Sequence, residues 1–377
     1  MDPIRMVDLV GQYAKIKEEV KDEINKVLDS ATFINGPAVS DFQSDLEKYL
    51  SVKHVIPCAN GTDALQVIMM AYDFPKGAEV IVPSFTYVAT VEVIALLGLK
   101  PVFVEVYPDT FNIDIEDLES KITDRTVAIV PVHLYGQCAD MERLMTVAKK
   151  HNLKVFEDTA QAIGADYKYS DGNTVKAGTI GDAGATSFFP SKNLGAYGDG
   201  GAIMTNDDEL AAKLRMIVNH GQSERYYHDS IGVNSRLDSI QAAILKVKLK
   251  YLDDYNQARQ QVAERYNEAF AATDEIVTPA TAGFTNHVYH QYTVKLKDAS
   301  RRNELNKYLA AQGIPSMIYY PVPNHLQKAY SYYGYKEGDF KITEDLCSRV
   351  ISFPIHTEME KEQQDYIIEN VLKFFSL

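Results

Sequence analysis

Two side chains carry the chemistry that the sequence offers, Lys192 and Asp158. Lys192 follows an apolar run that ends at Phe188-Phe189 and is broken by Pro190, and glycines follow at 195, 198, 200 and 201. An isolated lysine in a Gly-rich loop is ordinarily a solvated surface charge. Here the flanking aromatics and glycines leave it little water, and a desolvated lysine becomes a nucleophilic amine. Asp158 lies just past the carboxyl end of an apolar run, Leu153 to Phe156, that reads as a buried strand. Ligands of open α/β sheets bind outside such ends. A lysine that forms an imine and a carboxylate that keeps a pyridine nitrogen protonated together suit pyridoxal phosphate (PLP).

A third element is Ala59-Asn60-Gly61-Thr62-Asp63, between a strand at His54 to Cys58 and a helix through Ala64, Leu65, Ile68 and Met69. Small and polar residues at a helix start can present unpaired amides to an anion. Simple N-capping by Thr62 or Asp63 is the competing reading; the lysine and aspartate downstream favour the anion. Tyr87, after a strand ending at Pro83, can lie flat on a cofactor ring or belong to the core. His133 reads as a hydrogen-bonded packing residue. His287-x-x-His290 is the sole metal-like spacing; read as an alternating strand, it sends the two rings to opposite faces, so no metal site is expected.

The elements that must position these residues alternate. Strands at Glu79 to Pro83, Pro101 to Val106, Thr126 to Val132 and Leu153 are separated by helical patterns near Val88 to Leu97, Ile115 to Ile122 and Met141 to Lys150. Continuous apolar strands between amphipathic helices predict an α/β fold with a mostly parallel sheet covered on both faces. No Gly-x-Gly-x-x-Gly follows an early strand, so a dinucleotide-binding Rossmann domain is not expected. One long helix is predicted from Ile240 to about Phe270, and the change from a large domain, 1–250, to a small one, 251–377, is placed in it near residue 250. Beyond it, Val288 to Leu296 alternates like a strand, Arg302 to Ala311 is helical, Ile314 to Tyr320 is extended, and the last helix runs from about Lys361 to Phe375.

Composition narrows the function. A chain of 377 residues can bury a large core, and 46% hydrophobic with 24% charged residues is ordinary for a globular enzyme. A formal charge of −14 argues against sequence-independent nucleic-acid binding. Three dispersed cysteines, Cys58, Cys138 and Cys347, form neither a disulfide framework nor a metal spacing. With no apolar signal segment at the start and no apolar run long enough to span a bilayer, a cytoplasmic location without membrane partners is expected.

In order, Asn60-Gly61-Thr62-Asp63-Ala64-Leu65, Glu157-Asp158-Thr159-Ala160-Gln161, Phe188-Phe189-Pro190-Ser191-Lys192-Asn193-Leu194-Gly195 and Gly232-Val233-Asn234-Ser235-Arg236-Leu237-Asp238 resemble the nucleotide-sugar aminotransferases of the DegT/DnrJ/EryC1/StrS family. The likeness runs nearly end to end. It implies the fold type I architecture of PLP-dependent transferases, a large domain with a helix-sandwiched, mostly parallel sheet and a smaller α+β C-terminal domain. It further implies that Lys192 carries the cofactor as an imine, that Asp158 pairs with the pyridine nitrogen and that Gln161 contacts the ring hydroxyl. Gly61, Thr62 and Ser187 would hold the phosphate, and Tyr87 would stack on the ring. Asn234 would reach the phosphate of a neighbouring subunit, making the site composite and a homodimer obligatory.

The implied activity is transfer of an amino group from L-glutamate, through pyridoxamine phosphate, to a nucleotide-linked keto sugar for surface polysaccharide, lipopolysaccharide or glycan biosynthesis. Wording around His220 and Gly232 to Arg236 is most similar to enzymes acting on UDP-2-acetamido-2-deoxy-3-oxo-glucuronate. Arg236, His220, Tyr319 and Tyr320 are the candidate substrate contacts. A dTDP-linked 3-keto-6-deoxyhexose is the second choice of substrate. A non-catalytic binding or regulatory protein on the same scaffold is the alternative of another class.

Overall fold

The computed structural model describes residues 3–376, so the outermost ends of the two expected domains, Met1, Asp2 and Leu377, lie outside the described residues. Seven strands build the main sheet: β1 (His54–Cys58), β2 (Glu79–Pro83), β3 (Lys100–Val104), β4 (Thr126–Ile129), β5 (Lys154–Asp158), β6 (Ala183–Ser187) and β7 (Gly201–Thr205). Their order is β1-β7-β6-β5-β4-β2-β3. Only β7 runs against the rest: it pairs antiparallel with both β1 and β6, while β6, β5, β4, β2 and β3 pair in parallel.

The unbroken apolar strands mean that both faces are covered. In β2, Val80 and Val82 enter one core with helix Gly61–Tyr72, whereas Ile81 enters the opposite core with helix Met141–His151. Phe156 and Val155 of β5 divide in the same way. This is period-two burial on two sides, the pattern of a parallel sheet between helical layers.

A second sheet of three antiparallel strands, β8 (Ile276–Val277), β9 (Tyr292–Leu296) and β10 (Val350–Phe353), packs with helices Leu252–Phe270, Arg301–Ala311 and Lys361–Ser376 around its own core. The chain is therefore α/β, with a large mostly parallel unit and a smaller α+β one.

The single long helix expected from Ile240 to Phe270 is two helices, Ser239–Leu249 and Leu252–Phe270, broken at Lys250 and Tyr251. Periodicity cannot reveal such a break, because the apolar stripe continues through it; no proline or glycine marks the place. The strand expected from Val288 begins at Tyr292, because the preceding residues are irregular and Tyr289 takes a positive φ of 45°. The extended segment Ile314 to Tyr320 makes a single bridge, Met317 with Ser352, rather than a strand.

Candidate active site

The parallel strands deliver their carboxyl ends to one edge of the sheet. Asn60 and Gly61 follow β1, Thr86 and Tyr87 follow β2, Val132 follows β4, and Asp158 and Ser187 end β5 and β6. All of them line one cavity of about 800 Å³. Lys192 lines it too, carried by the turn between β6 and β7. Position outside the carboxyl ends of a parallel sheet is where α/β folds leave room for a ligand.

Asp158 is the last residue of β5 rather than just beyond it, and it is almost fully buried, at 6% exposure. Its Oδ2 accepts a hydrogen bond from Thr90 Oγ1 at 2.8 Å and its Oδ1 accepts one from the Ala160 amide at 3.1 Å. Both bonds fix the carboxylate without neutralising it.

The side-chain amine of Lys192 makes no hydrogen bond or ion pair among the described residues. Burial drives its amine down to about 8, against the pull of the Asp158 charge, which favours the ammonium. Roughly a tenth of it is therefore uncharged and nucleophilic at pH 7, far more than for a lysine at its ordinary 10.5, as a reactive lysine requires.

Gln161 is held at both ends. Its Oε1 accepts from the Tyr135 amide at 2.7 Å, and its Nε2 donates to the Tyr320 hydroxyl at 3.0 Å. Tyr319 and Tyr320 both line the cavity. Tyr87 does as well and is 56% exposed, with its ring 6.1 Å from that of Tyr320, which rules out the core reading.

At the start of helix Gly61–Tyr72 the cap is Asn60, whose side chain accepts from the Asp63 amide at 2.8 Å, and not Thr62 or Asp63. The amides of Gly61 and Thr62 are left unbonded among the described residues. A Cβ on Gly61 would lie 2.7 Å from Ser187 Cβ, so only glycine lets the helix start approach the end of β6 this closely. Two open amides at a helix N-terminus beside a serine make a cradle suited to a phosphate. With the unpaired Lys192 amine and the fixed Asp158 carboxylate, the donor set fits a phosphorylated pyridine aldehyde.

A single chain does not bring every expected residue to this cavity. His220 and Asn234 are exposed, Arg236 is partly buried, and none of the three lines it. His133 is a packing residue as expected: fully buried, it accepts the Ala139 amide on Nδ1, so its Nε2 carries the proton directed at Glu157, 2.9 Å away. His287 and His290 lie in an irregular segment, not on a strand, and no group of three or more His, Cys, Asp or Glu able to hold a metal occurs among the described residues. Thr90, His290 and Gln291 belong to the site and were missed in the sequence; Asn60 reads there only as part of the anion-binding stretch, not as the cap. None of the three missed residues had a local signal.

The model of the DegT/DnrJ/EryC1/StrS aminotransferase family matches residues 14–372. The chain belongs to this family. Among similar proteins, this aminotransferase is 46% identical to a "Pleiotropic regulatory protein" of Geobacillus stearothermophilus, over 99% of this chain and 98% of that one. It is 43% identical to the UDP-2-acetamido-2-deoxy-3-oxo-D-glucuronate aminotransferase of Pseudomonas aeruginosa, covering 95% and 96%. It is 45% identical to the dTDP-3-amino-3,6-dideoxy-alpha-D-galactopyranose transaminase of Aneurinibacillus thermoaerophilus, covering 98% and 99%.

Of solved structures, a DegT DnrJ EryC1 StrS aminotransferase from Brucella abortus superposes with a TM-score of 0.93 at 42% identity, covering 98% and 99%. A Bacillus subtilis protein with bound cofactor PMP superposes at 0.88 and 30% identity, covering 99% of this chain and 83% of that one. The aminotransferase described here is accordingly a sugar aminotransferase that uses PLP.

Proposed function

We propose that this enzyme moves the amino group of L-glutamate to the keto carbon of a nucleotide-linked 3-keto sugar, with UDP-2-acetamido-2-deoxy-3-oxo-glucuronate as the favoured acceptor, in the synthesis of a surface polysaccharide or other glycan. The observation that carries the reading is the unpaired Lys192 amine, brought down to about 8, in one cavity with the buried carboxylate of Asp158. A regulatory protein without catalysis would have no use for a desolvated lysine beside a buried carboxylate. Identity of 43% to the Pseudomonas aeruginosa enzyme supports the uronate, and the Aneurinibacillus relative keeps a dTDP-linked 3-keto-6-deoxyhexose as the second acceptor.

When bound, PLP supplies an electron sink that makes a proton on the donor's α-carbon removable. The chain's residues do the rest. Lys192 would hold the cofactor at its aldehyde carbon between turnovers. With the donor bound, the freed Lys192 amine would take the donor's α-proton and deliver it to the cofactor carbon that it had itself held, a task suited to an amine brought down to about 8. The reverse transfer serves the sugar. Asp158, braced by Thr90 and the Ala160 amide, keeps the ring nitrogen protonated. Gly61, Thr62 and Ser187 hold the phosphate, Gln161 orients the ring hydroxyl, and Tyr87 covers the ring face. Tyr319 and Tyr320 border the space left for the sugar. Asn234 acts at the neighbouring site of a homodimer, in keeping with its absence from the cavity lining of its own chain, and Arg236 and His220 are the further candidate substrate contacts.

Incubating the holoprotein with L-glutamate and a panel of UDP- and dTDP-linked keto sugars tests the assignment. The aldehyde-form absorbance should fall with glutamate and return with one acceptor. Recovery with the dTDP sugar alone would replace the uronate; no loss with glutamate would remove the donor.

A further inference from the structure

Behind the cavity lies a second lysine that the mechanism does not use. Lys248 is fully buried, near the end of helix Ser239–Leu249, and no carboxylate pairs with it among the described residues. Its Nζ donates to the carbonyl oxygen of Gly195 at 2.6 Å and lies 5.3 Å from the centre of the Tyr197 ring. Burial, reinforced by the charge of Arg259, drives its amine down to about 7. A buried amine without a counter-charge is costly, and one hydrogen bond to a neutral carbonyl does not offset that cost. Folding alone would be served as well by an apolar side chain.

What Lys248 grips is the turn that carries Lys192. That turn closes on itself through the Lys192 amide to Phe189 O and the Ala196 amide to Phe188 O, each 2.8 Å. The closure is tight enough that a Cβ on Gly195 would come within 2.2 Å of Pro190 O. Three side chains from the two consecutive helices hold it from behind. Gln241 Oε1 accepts the Tyr197 amide at 2.8 Å, Lys248 takes the Gly195 carbonyl, and Asn256 Oδ1 accepts Asn193 Nδ2 at 2.7 Å. Lys248 stands two helical turns from Gln241, on the same face.

The geometry points to Lys248 as a positioning residue for Lys192: its buried amine pins the Gly195 carbonyl and so fixes where the reactive amine stands. A displacement of about 1 Å at a reacting group costs on the order of 100-fold in rate, so such a pin acts on turnover more than on binding. The assignment rests on Lys192 being the reactive amine.

The test uses holoenzyme carrying Lys248→Met and, separately, Lys248→Gln, beside wild type. In single-turnover stopped flow with L-glutamate, the rate constant at saturation should fall about 10-fold or more in Lys248→Met while the half-saturating glutamate concentration stays within about 3-fold. Hydrogen exchange at the Lys192 and Ala196 amides should quicken about 10-fold in the same variant, with the Phe156 amide of β5 unchanged. An unchanged rate constant, or faster exchange spread equally through β5, would overturn the assignment. Should neither variant fold, wild type still decides: these two turn amides must exchange as slowly as those of β6, and exchange at open-loop rates sinks the proposal. If glutamate does not react with wild type but borohydride still labels Lys192, the donor is wrong and the exchange result stands alone for Lys248.

Discussion

Thr90 and Asp158 are 68 positions apart and meet through a 2.8 Å hydrogen bond, hydroxyl to carboxylate, with both residues buried. Thr90 sits in the first turn of helix Ala89–Leu96, so the helix that follows β2 braces the acid that ends β5. Thr90→Val keeps the shape and removes the donor, leaving Oδ2 without a protein partner among the described residues. Turnover should fall roughly 10-fold, in line with the 1–3 kcal/mol of a buried hydrogen bond to a charged group, and Thr90→Ser should recover most of it. Steady-state kinetics on the three proteins checks this; equal loss in the serine variant would mean that packing, not the hydroxyl, matters.

The state of Lys192 gives a prediction in pH. Its amine is brought down to about 8 from an ordinary value of 10.5, mainly by burial. The amine attacks only when unprotonated, so capture must speed up as pH rises through the folded value. When PLP is added to cofactor-stripped protein, the rate of absorbance growth should climb to a plateau with a midpoint near 8. A midpoint near 10 would mean that the amine is solvated. Lys192→Ala should bind the cofactor without the absorbance change and should not turn over.

How far the site could be read from sequence depended on how local its signals are. Lys192 and Asp158 each announce themselves through neighbours in the chain, a Gly-rich turn and a strand end. Thr90 does not, because it is one threonine in a helix whose partner is far off in sequence. The small sheet shows the same limit: β10 is four residues long and is recognisable only once β9 lies beside it. The helix break at Lys250 and Tyr251 left no trace either, since the apolar stripe runs on through it. Asn234, Arg236 and His220 stand outside the cavity of their own chain, so neither their spacing nor one folded chain gives them a role.

Gly61 tests the cradle. An alanine there would drive its Cβ to 2.7 Å from Ser187 Cβ and 3.2 Å from Ser187 Cα, the latter being backbone of β6. The helix start must move away from the strand, at a cost of about 1–3 kcal/mol of overpacking. Gly61→Ala should therefore lower the urea midpoint and weaken PLP binding about 10-fold or more, measured by titration into stripped protein. Loss of stability with unchanged cofactor affinity would show that the phosphate is held elsewhere.

His133 tests the frame around Asp158. Its backbone amide donates to the Asp158 carbonyl at 3.0 Å, and its ring reaches Glu157, which also accepts the amides of Gly178, Ile180 and Gly181. His133→Leu removes the ring donor from a carboxylate that keeps three others. Stability should drop about 1–3 kcal/mol by denaturant titration, while borohydride still labels Lys192. A variant with full stability and no labelling would contradict the packing role.

The proposal that two subunits share each site has a test that needs no structure of a dimer. Asn234 is exposed on its own chain and does not line the cavity there. Lys192→Ala and Asn234→Ala should each be poorly active alone. Unfolded together and refolded, or co-expressed, they form mixed dimers in which one site pairs an intact Lys192 with an intact Asn234 from the other chain. Random pairing makes about half of the dimers mixed, each with one good site in two, so activity should return to about a quarter of wild type. If Asn234 acted within its own chain, no mixed dimer would contain an intact site and mixing would restore nothing. Because the two variants share every other residue, only subunit exchange can separate these outcomes.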